Sequence, residues 1–521
     1  MTTVATTTQM HREPEGGFLD LMRYRNYRLL WSGQLVSFLG DRVHWVAISL
    51  WVYALTGSAL SVSFAIVALM LAPGVVGFFA GAIVDRYDRR RIMIIADLAR
   101  AGLVALIPTL MNVGLPWVYA VLFLVSAASA FFRPAMFAAI PQSVPRDRLQ
   151  PANAFFATLD SAAEVVGPVI AGLLVATFHY TAAIYANALS FLVSVAFVSR
   201  LRLPPVPAPA AAPGTTSRSA APGILDSIRE GLRYIRGDNV QIGLLALLVM
   251  GQWVVGLTSL QTPLAKGVLQ ITDQQFGWFQ SVWGLGFVGA SLVLGWYGRL
   301  LPQGQMIVLG YMLWAVAAGA MALAPNFGTL VATGFWVGFA NIVVFVNVGT
   351  VMMSHTPPDK LGRAIAVRQI NLAVVRTIAL VGFGWLGDVV GIRPAILIMA
   401  GLALGGTLLA TTLVRAVWEH KGTYQPEALP GERLDRKLDE PGWSLILNRL
   451  IRAEIEPEFS APEQRWLNVA SVSIVVVGWS LLLAERPLEA LGIAATVGFV
   501  VGMAVFARSR GWLARVRPTR N

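Results

Sequence analysis

The sequence predicts an all-α membrane protein, and this fold class follows from composition and from the spacing of apolar residues. Hydrophobic residues make up 56% of the 521 residues and charged residues only 13%, whereas soluble domains carry about a quarter charged residues. The apolar residues come in runs of roughly 20, the length of helix that spans a hydrocarbon core about 30 Å thick. A soluble protein would need helices with polar faces, and most of these runs have none.

The apolar runs fall into two sets of six predicted spans and a final pair. The first set lies at 29–54, 59–83, 92–112, 116–140, 152–177 and 181–201. The second set lies at 240–260, 276–299, 304–324, 328–353, 362–386 and 392–416, and the final pair at 466–484 and 488–507. We therefore expect two six-helix bundles followed by a C-terminal two-helix hairpin.

These runs also set the predicted domain boundaries. The segments are a cytoplasmic N-terminal segment (1–28), the first bundle (29–201), a cytoplasmic linker (202–239), the second bundle (240–416), a cytoplasmic amphipathic segment (417–465) and the extra hairpin with a basic tail (466–521). The first part of the linker is rich in proline and small residues, as in a flexible tether. Its second part and the amphipathic segment show the apolar spacing of helices that lie on a membrane surface.

The two predicted bundles carry traces of an internal repeat. Residues 145–152 and 357–364 both fit the pattern P-x-D-[R/K]-L-x-x-A and are displaced by 212 residues, while Gly81 and Gly295 are displaced by 214. Two nearly equal displacements at equivalent ends of the six-span sets indicate parallel repeats. We therefore expect the bundles to be pseudo-symmetric.

The net charge of +12 does not indicate a nucleic-acid partner. Basic residues lie in the short loops after every second span, as at 86–91 and 360–363, rather than on one soluble face. By the positive-inside rule these loops and both termini are cytoplasmic. The preference for arginine over lysine is typical of a GC-rich bacterial genome, so we expect a multi-pass protein of the bacterial inner membrane.

Composition excludes several kinds of site. The chain has no cysteine, which excludes disulfides and cysteine nucleophiles. The five histidines are scattered, so we expect no metal site. Because no nucleophile–base set or phosphate loop is present, we expect neither an enzyme nor a bound cofactor.

The loop between spans 2 and 3 carries the most specific motif. It reads Gly81-Ala82-Ile83-Val84-Asp85-Arg86-Tyr87-Asp88-Arg89-Arg90-Arg91 and resembles the G-x-x-x-D-R-x-x-R-R signature of the major facilitator superfamily of transporters. The resemblance implies a cytoplasmic latch, in which Asp85 accepts hydrogen bonds at the start of span 11 and Gly81 allows close helix approach. The alternative is that the arginines only determine topology.

Span 5 carries a second motif, around Gly167 and Pro168. The stretch 164–172 is similar to a motif of the family's drug/proton antiporters, although Ala163 and Ala171 replace two of its glycines. The similarity implies an exporter with a helix kink at Gly167 and Pro168. The alternative is a packing kink of the kind that many membrane helices contain.

Two further stretches resemble the branch of the family that contains the enterobactin exporter and the macrolide efflux proteins. They are Phe131-Phe132-Arg133-Pro134-Ala135-Met136 in span 4 and Gly33-Gln34 with Gly40-Asp41 in span 1. The resemblance to the superfamily covers roughly residues 20–416. It implies the major facilitator fold.

Carboxylates inside the spans are functional candidates, because an ionisable group in a bilayer costs several kcal/mol. Asp41 lies near the middle of span 1, and Asp160 and Glu164 lie four residues apart on one face of span 5. We expect these three groups to couple transport to protons. The alternative is that they form structural pairs with neighbouring helices.

The repeat places Glu164 and Arg376 at pseudo-equivalent positions, 212 residues apart. We expect them to line opposite walls of one central cavity, where Arg376 either binds an anionic substrate or acts on a nearby acid. Family resemblance places spans 1, 4, 7 and 10 around that cavity. The further cavity candidates are Arg133, Gln252, Asn341 and Asn347, with packing between helices as the alternative.

Together these features predict a secondary active exporter that works as a monomer by alternating access. Its expected partners are protons, the lipid bilayer and an amphipathic small molecule such as a siderophore or an antibiotic. Two alternatives stay open. One is an importer or lipid flippase on the same fold, and the other is a non-transporting membrane receptor or scaffold whose C-terminal extension carries the function.

Overall fold

The computed structural model describes residues 18–84, 86–204, 232–298, 302–413 and 415–418. All regular structure in these residues is helical, which confirms the predicted all-α class. Within this part of the chain ten helices are long and apolar enough to cross a membrane, with Arg146–Val198 counted as one. Residues before 18, most of the predicted linker, nearly all of the amphipathic segment and the predicted hairpin lie outside the described residues, so the complete arrangement of bundles and hairpin stays a prediction.

Six helices form the first helix set. They are α1 (Arg25–Thr56), α2 (Ala59–Val84), α3 (Arg89–Val113), α4 (Leu115–Ala139), α5 (149–178) and α6 (180–198). The last two belong to one helical stretch that breaks at His179, where φ is 63°. A non-glycine residue seldom adopts a positive φ. All other residues of Leu149–Val198 have helical dihedral angles, so the break is confined to His179.

Contacts with α1 show that α5 and α6 run in opposite directions. Near the start of α1, Tyr27 donates a hydrogen bond to the Ala152 carbonyl of α5 at 2.9 Å, and later residues of α1 meet later residues of α5. Gln34 of α1 instead donates to Ser194, late in α6, at 3.2 Å. The break at His179 therefore reverses the chain between two predicted spans.

Six helices form the second helix set. They are α7 (Asn239–Val268), α8 (Asp273–Tyr297), α9 (Gln303–Ala322), α10 (Phe327–His355), α11 (Pro358–Val390) and α12 (Ile392–Leu413). Helix α7 is irregular, with a 3-10 turn at Gln252–Gly256 and a π-helical turn at Leu264–Val268. The predicted end of this span near residue 260 is wrong. The helix continues to Val268, and the Lys266 ammonium within its last turn donates a hydrogen bond to the Ile271 carbonyl at 2.9 Å.

Side-chain caps start several helices at the polar positions of the sequence. Asp88 accepts hydrogen bonds from two amides at the start of α3, and Asp238 does the same for α7. Helix α8 begins with a reciprocal capping box between Thr272 and Gln275. Each cap satisfies amide groups that have no partner within the helix.

A buried ion pair lies at the centre of the first helix set. Asp97 and Arg100 of α3 contact each other, and their side chains are 0% and 3% exposed. The Arg100 guanidinium lies between two aromatic rings, 4.4 Å from the centre of Phe132 and 4.3 Å from that of Phe191. This contact joins α3 to α4 and α6 through electrostatic and cation–π attraction.

Replacing Arg100 with leucine is expected to destabilise the protein, because Asp97 would stay buried without its counterion. Removing one partner of a buried pair costs about 3–5 kcal/mol. Thermal unfolding of the detergent-purified protein measures the loss. Arg91→Leu is the matched control, since that side chain is 83% exposed.

Adding Asp97→Asn to Arg100→Leu should restore part of the lost stability by removing the orphaned charge. Equal unfolding temperatures for Arg100→Leu and Arg91→Leu would contradict a stabilising role for the buried pair.

Candidate functional site

Each helix set has a basic end, which carries the basic loops, and an opposite far end. The basic end lies at residues 86–91 in the first set and 360–363 in the second, and the far end lies at residues 57–58 and 269–272.

Arginines of the motif loop tie the basic end of the first set together. Arg89 donates a hydrogen bond to the Ala138 carbonyl at the end of α4 at 3.0 Å. Arg90 donates to the Ser199 carbonyl just beyond α6. Carbonyl groups at helix C-termini carry partial negative charge, so these arginines hold α3 against the ends of α4 and α6.

The close helix approach expected at Gly81 is absent in this structure. Among the residues that the structure describes, a Cβ atom added at Gly81, or at its repeat counterpart Gly295, would meet nothing within 4 Å. The reason is that the two helix sets meet towards their far ends instead. Arg86 is exposed and Asp85 lies outside the described residues, so its latch contact with α11 stays a prediction.

At the far end, a carboxylate of the second set caps a helix of the first. Asp388, near the end of α11, accepts hydrogen bonds from the Ser58 hydroxyl at 2.5 Å, the Ala59 amide at 2.7 Å and the Leu60 amide at 3.1 Å. A carboxylate at a helix N-terminus satisfies free amides and interacts favourably with the helix dipole. This cap therefore joins α11 to the start of α2.

Glycines bring α5 and α8 into backbone contact between the two sets. A Cβ at Gly172 would lie 2.8 Å from the Asp273 carbonyl oxygen and 3.0 Å from the Gly277 Cα. At mid-depth, a Cβ at Gly284 would lie 2.9 Å from the Glu164 carbonyl oxygen. Such close approach requires small residues, and a larger side chain at any of these glycines would push the sets apart.

The predicted kink residues of span 5 take part in this packing. Gly167 lies against the side chain of Arg42, and the carbonyl of Pro168 faces Gly277 of α8. The only non-helical dihedral angles in Leu149–Val198 occur at His179. Gly167 and Pro168 thus make close contacts between helices, and a kink at this pair stays a prediction.

An ion-pair cluster joins α1 to α5 at mid-depth. Arg42 lies 2.6 Å from a carboxylate oxygen of Glu164 and 3.6 Å from one of Asp160. Because Gly284 of α8 packs on the Glu164 backbone, the cluster lies where the two sets meet. Sequence reasoning identified both acids and missed Arg42. Its place inside span 1, beside Asp41, is the signal that could have identified it.

Asp41 lies between the two charge clusters of the first set. The charges that act on it include Arg100, Arg42 and the exposed Arg133 of α4. His44, one turn along α1, is buried, and neither ring nitrogen has a hydrogen-bond partner among the described residues. In this part of the chain no group of three or more histidine and acidic side chains could hold a metal ion.

Four helices of the second set enclose a pocket at mid-depth. Three predicted cavity residues, Gln252, Asn341 and Arg376, come together there. The remaining polar and aromatic wall consists of Tyr311 and Trp314 of α9, Phe345 of α10 and Arg368 of α11. We call this group the arginine pocket.

Two predictions about the central cavity stay predictions, because the contacts of their residues lie outside the arginine pocket. Asn347 does not line the arginine pocket, because its side-chain amide donates to the Val343 carbonyl of its own helix at 2.7 Å. Glu164 pairs with Arg42, whereas Arg376 lines the arginine pocket, so a cavity shared by Glu164 and Arg376 stays a prediction.

Comparison with protein families gives a match over nearly the whole chain. The family model described as Major Facilitator Superfamily matches residues 30–269 and 256–520. The two matched ranges cover both helix sets.

Curated relatives include bacterial efflux proteins. The chain is 25% identical to Macrolide efflux protein A of Streptococcus pyogenes over 403 residues, which are 74% of this chain and 95% of that protein. It is 27% identical to Multidrug efflux pump Tap of Mycolicibacterium fortuitum over 387 residues, 71% of this chain and 91% of that protein.

Solved transporter structures share the fold. The crystal structure of a bacterial homolog of the human lysosomal transporter Spinster matches with a TM-score of 0.58 and 13% identity, covering 76% of this chain and 98% of that one. A POT family transporter matches with a TM-score of 0.59 and 10% identity, covering 75% and 96%. The major facilitator fold expected from the motifs is confirmed.

The far-end contact predicts a specific cross-link. The chain has no cysteine, so a Ser58→Cys/Asp388→Cys variant carries the only two thiols, at side chains whose oxygens lie 2.5 Å apart. Mild oxidation should join them, and maleimide labelling of the oxidised protein should then fall until a reductant is added.

Ser58→Cys/Arg91→Cys is the control, because its second thiol lies at the basic end. Equal protection from labelling in both variants, or none in either, would contradict the far-end contact.

Proposed function

Because this chain belongs to the Major Facilitator Superfamily, we propose that it is a proton-coupled exporter of amphipathic small molecules in a bacterial inner membrane. The observation that carries the proposal is the asymmetry between the two ends. Asp388 joins the helix sets at the far end, while at the basic end Gly81 has no described residue of the other set against it. A transporter that works by rocking two helix sets about a central site needs such a one-sided closure.

The direction of transport is inferred from the relatives. Two proteins that resemble this chain over more than two thirds of its length are named for macrolide efflux and multidrug efflux. The motif of span 5, which packs on α8, also resembles that of drug/proton antiporters. We therefore infer export, with an antibiotic or a siderophore as the class of substrate.

The cluster of Arg42, Asp160 and Glu164 is the proposed site of proton coupling. A proton that binds Glu164 neutralises the partner of Arg42 and removes the ion pair at 2.6 Å. The backbone of Glu164 lies against Gly284 of α8, so the change occurs at the contact between the two sets. Protonation would thus alter the interface that must open for transport.

Helices α2 and α11 are proposed to hold the transporter in its two states. In this state Asp388 of α11 caps α2 at the far end. In the opposite state the motif predicts that Asp85, just beyond α2, caps α11 at the basic end. With the basic loops in the cytoplasm, the present state opens to the cytoplasm and can load a compound for export.

The experiment expresses the wild type and its variants in an efflux-deficient bacterium and measures how much of each compound accumulates, over a broad panel of antibiotics and siderophores. We expect the wild type to lower accumulation of some compounds and Asp85→Asn to lose this effect at equal expression.

Glu164→Gln should reduce proton-driven accumulation in everted vesicles by at least about tenfold while still binding the compound, because the side chain can no longer exchange a proton.

Asp147→Asn makes the same chemical change at an exposed carboxylate of the basic end and should transport like the wild type. Full activity of Glu164→Gln would refute coupling at this cluster. If the wild type changes no compound in the panel, export is refuted in favour of import, lipid movement or a scaffold role.

A further inference from the structure

Two arginines of the second helix set lie at membrane depth without an acid beside them. The stretch 239–413 contains only three acidic residues, and all lie at helix ends: Asp273, Asp359 and Asp388. At about 1.5 Å of rise per residue, Arg376 lies about 18 Å along α11 from Asp388 and about 25 Å from Asp359. No carboxylate of its own set therefore lies at the depth of Arg376.

Three acids within the spans of the first set contact arginines of that set, and the arginines whose charges act on a fourth, Asp41, are Arg100, Arg42 and Arg133 rather than those of the second set. Glu164 and Asp160 lie against Arg42, and Asp97 contacts Arg100. Among the described residues, Arg368 and Arg376 form no ion pair with any carboxylate. A charged group at membrane depth is strongly disfavoured unless an opposite charge or water reaches it, so these guanidinium groups favour an anion in the arginine pocket.

The walls of the arginine pocket offer hydrogen-bond donors. The Nε atoms of Arg368 and Arg376 and the indole nitrogen of Trp314 are all buried and have no hydrogen-bond partner among the described residues, and the Tyr311 hydroxyl lies beside Gln252. Trp314 is 4% exposed and Tyr311 is 0% exposed. Arginine and indole nitrogens can only donate, so the convergent groups suit oxygen atoms that carry negative charge.

Aromatic rings lie beside these donors. The rings of Tyr311 and Trp314 stack with centres 6.4 Å apart. The Arg368 guanidinium lies 5.9 Å from the centre of the Phe345 ring, and Phe345 itself is largely exposed. An apolar or aromatic body could therefore lie against Phe345 while its charged group enters the pocket.

A second cleft connects the arginine pocket towards the basic end. Leu248, Val348 and Arg368 line both spaces. The second cleft continues to Gln241 near the start of α7 and Met352 near the end of α10. Arg368 thus lies where the two spaces join, on the way from the basic end to Arg376.

We propose that the arginine pocket binds the anionic group, a carboxylate or a sulfonate, of the transported molecule, with Arg368 at its entrance and Arg376 at its base. This inference rests on the proposed transport function and narrows its substrates to amphipathic anions. The selection is electrostatic, because an amine of the same shape would place a third positive charge beside the two guanidinium groups.

The test uses three probes that share one aromatic body: dansylglycine, an anion; dansylglycinamide, which is neutral; and dansylcadaverine, a cation. Binding to the full-length protein in detergent is followed by energy transfer from tryptophan to the dansyl group. We expect dansylglycine to bind at least about tenfold more tightly than the other two.

Arg376→Gln should weaken dansylglycine binding by about tenfold or more and leave dansylglycinamide binding unchanged. Arg376→Lys should retain most of the preference, which keeps the test valid if the glutamine variant folds poorly. Arg393→Gln is the matched control, since that arginine belongs to the same set but donates to the Ala324 carbonyl outside the pocket at 2.9 Å.

Equal binding of the three probes, a preference for the cation, no binding at all, or an unchanged preference in Arg376→Gln would overturn the inference. The accumulation assay with antibiotics and siderophores shows whether only the anion site is wrong or whether the proposed export function is wrong as well. Export of cationic antibiotics without any anion preference would leave export standing and refute only the anion site.

Discussion

The pairing of charges inside the membrane is the constraint on which the rest of this structure depends. The first helix set satisfies it internally: Asp97 contacts Arg100 between two aromatic rings, and Arg42 binds Glu164 at 2.6 Å. The second set leaves Arg376 without a carboxylate among the described residues. The first set thus pairs most of its charges internally, whereas we propose that a bound anion supplies the missing negative charge in the second.

The closure at the far end includes close contacts between small residues and one carboxylate. Glycines let the backbones of α5 and α8 come into contact, and the Asp388 carboxylate accepts hydrogen bonds from amides at the start of α2. Hydrogen bonds of this kind break and form again without exposing apolar surface to water. A contact that must open in every transport cycle benefits from being polar and local. The cluster of Arg42 and Glu164 lies beside this interface, which is why we propose it as the site where a proton acts.

Much of the fold could be predicted from the sequence, because helix length and apolar content reflect the thickness of the bilayer. The predicted end of α7 is too early, since Gln261, Thr262 and Pro263 interrupt the apolar run although the helix continues to Val268. Side-chain partners were harder to predict. Gln252, Asn341 and Arg376 do share a pocket, but Asn347 bonds to its own helix. The contact of Asp388 with α2 joins residues about 330 positions apart, and a single sequence carries no signal for such a pairing.

The most direct test of the alternating two-state account is a pair of distances measured by double electron–electron resonance in lipid nanodiscs. The chain has no cysteine, so spin labels can be placed at exposed positions, Leu55→Cys with Val389→Cys at the far end and Ile95→Cys with Met353→Cys at the basic end. Acidification or an exported compound should lengthen the far-end distance in the same samples in which the basic-end distance shortens. Two distances that stay constant under all conditions, or that change in the same direction, would contradict the account.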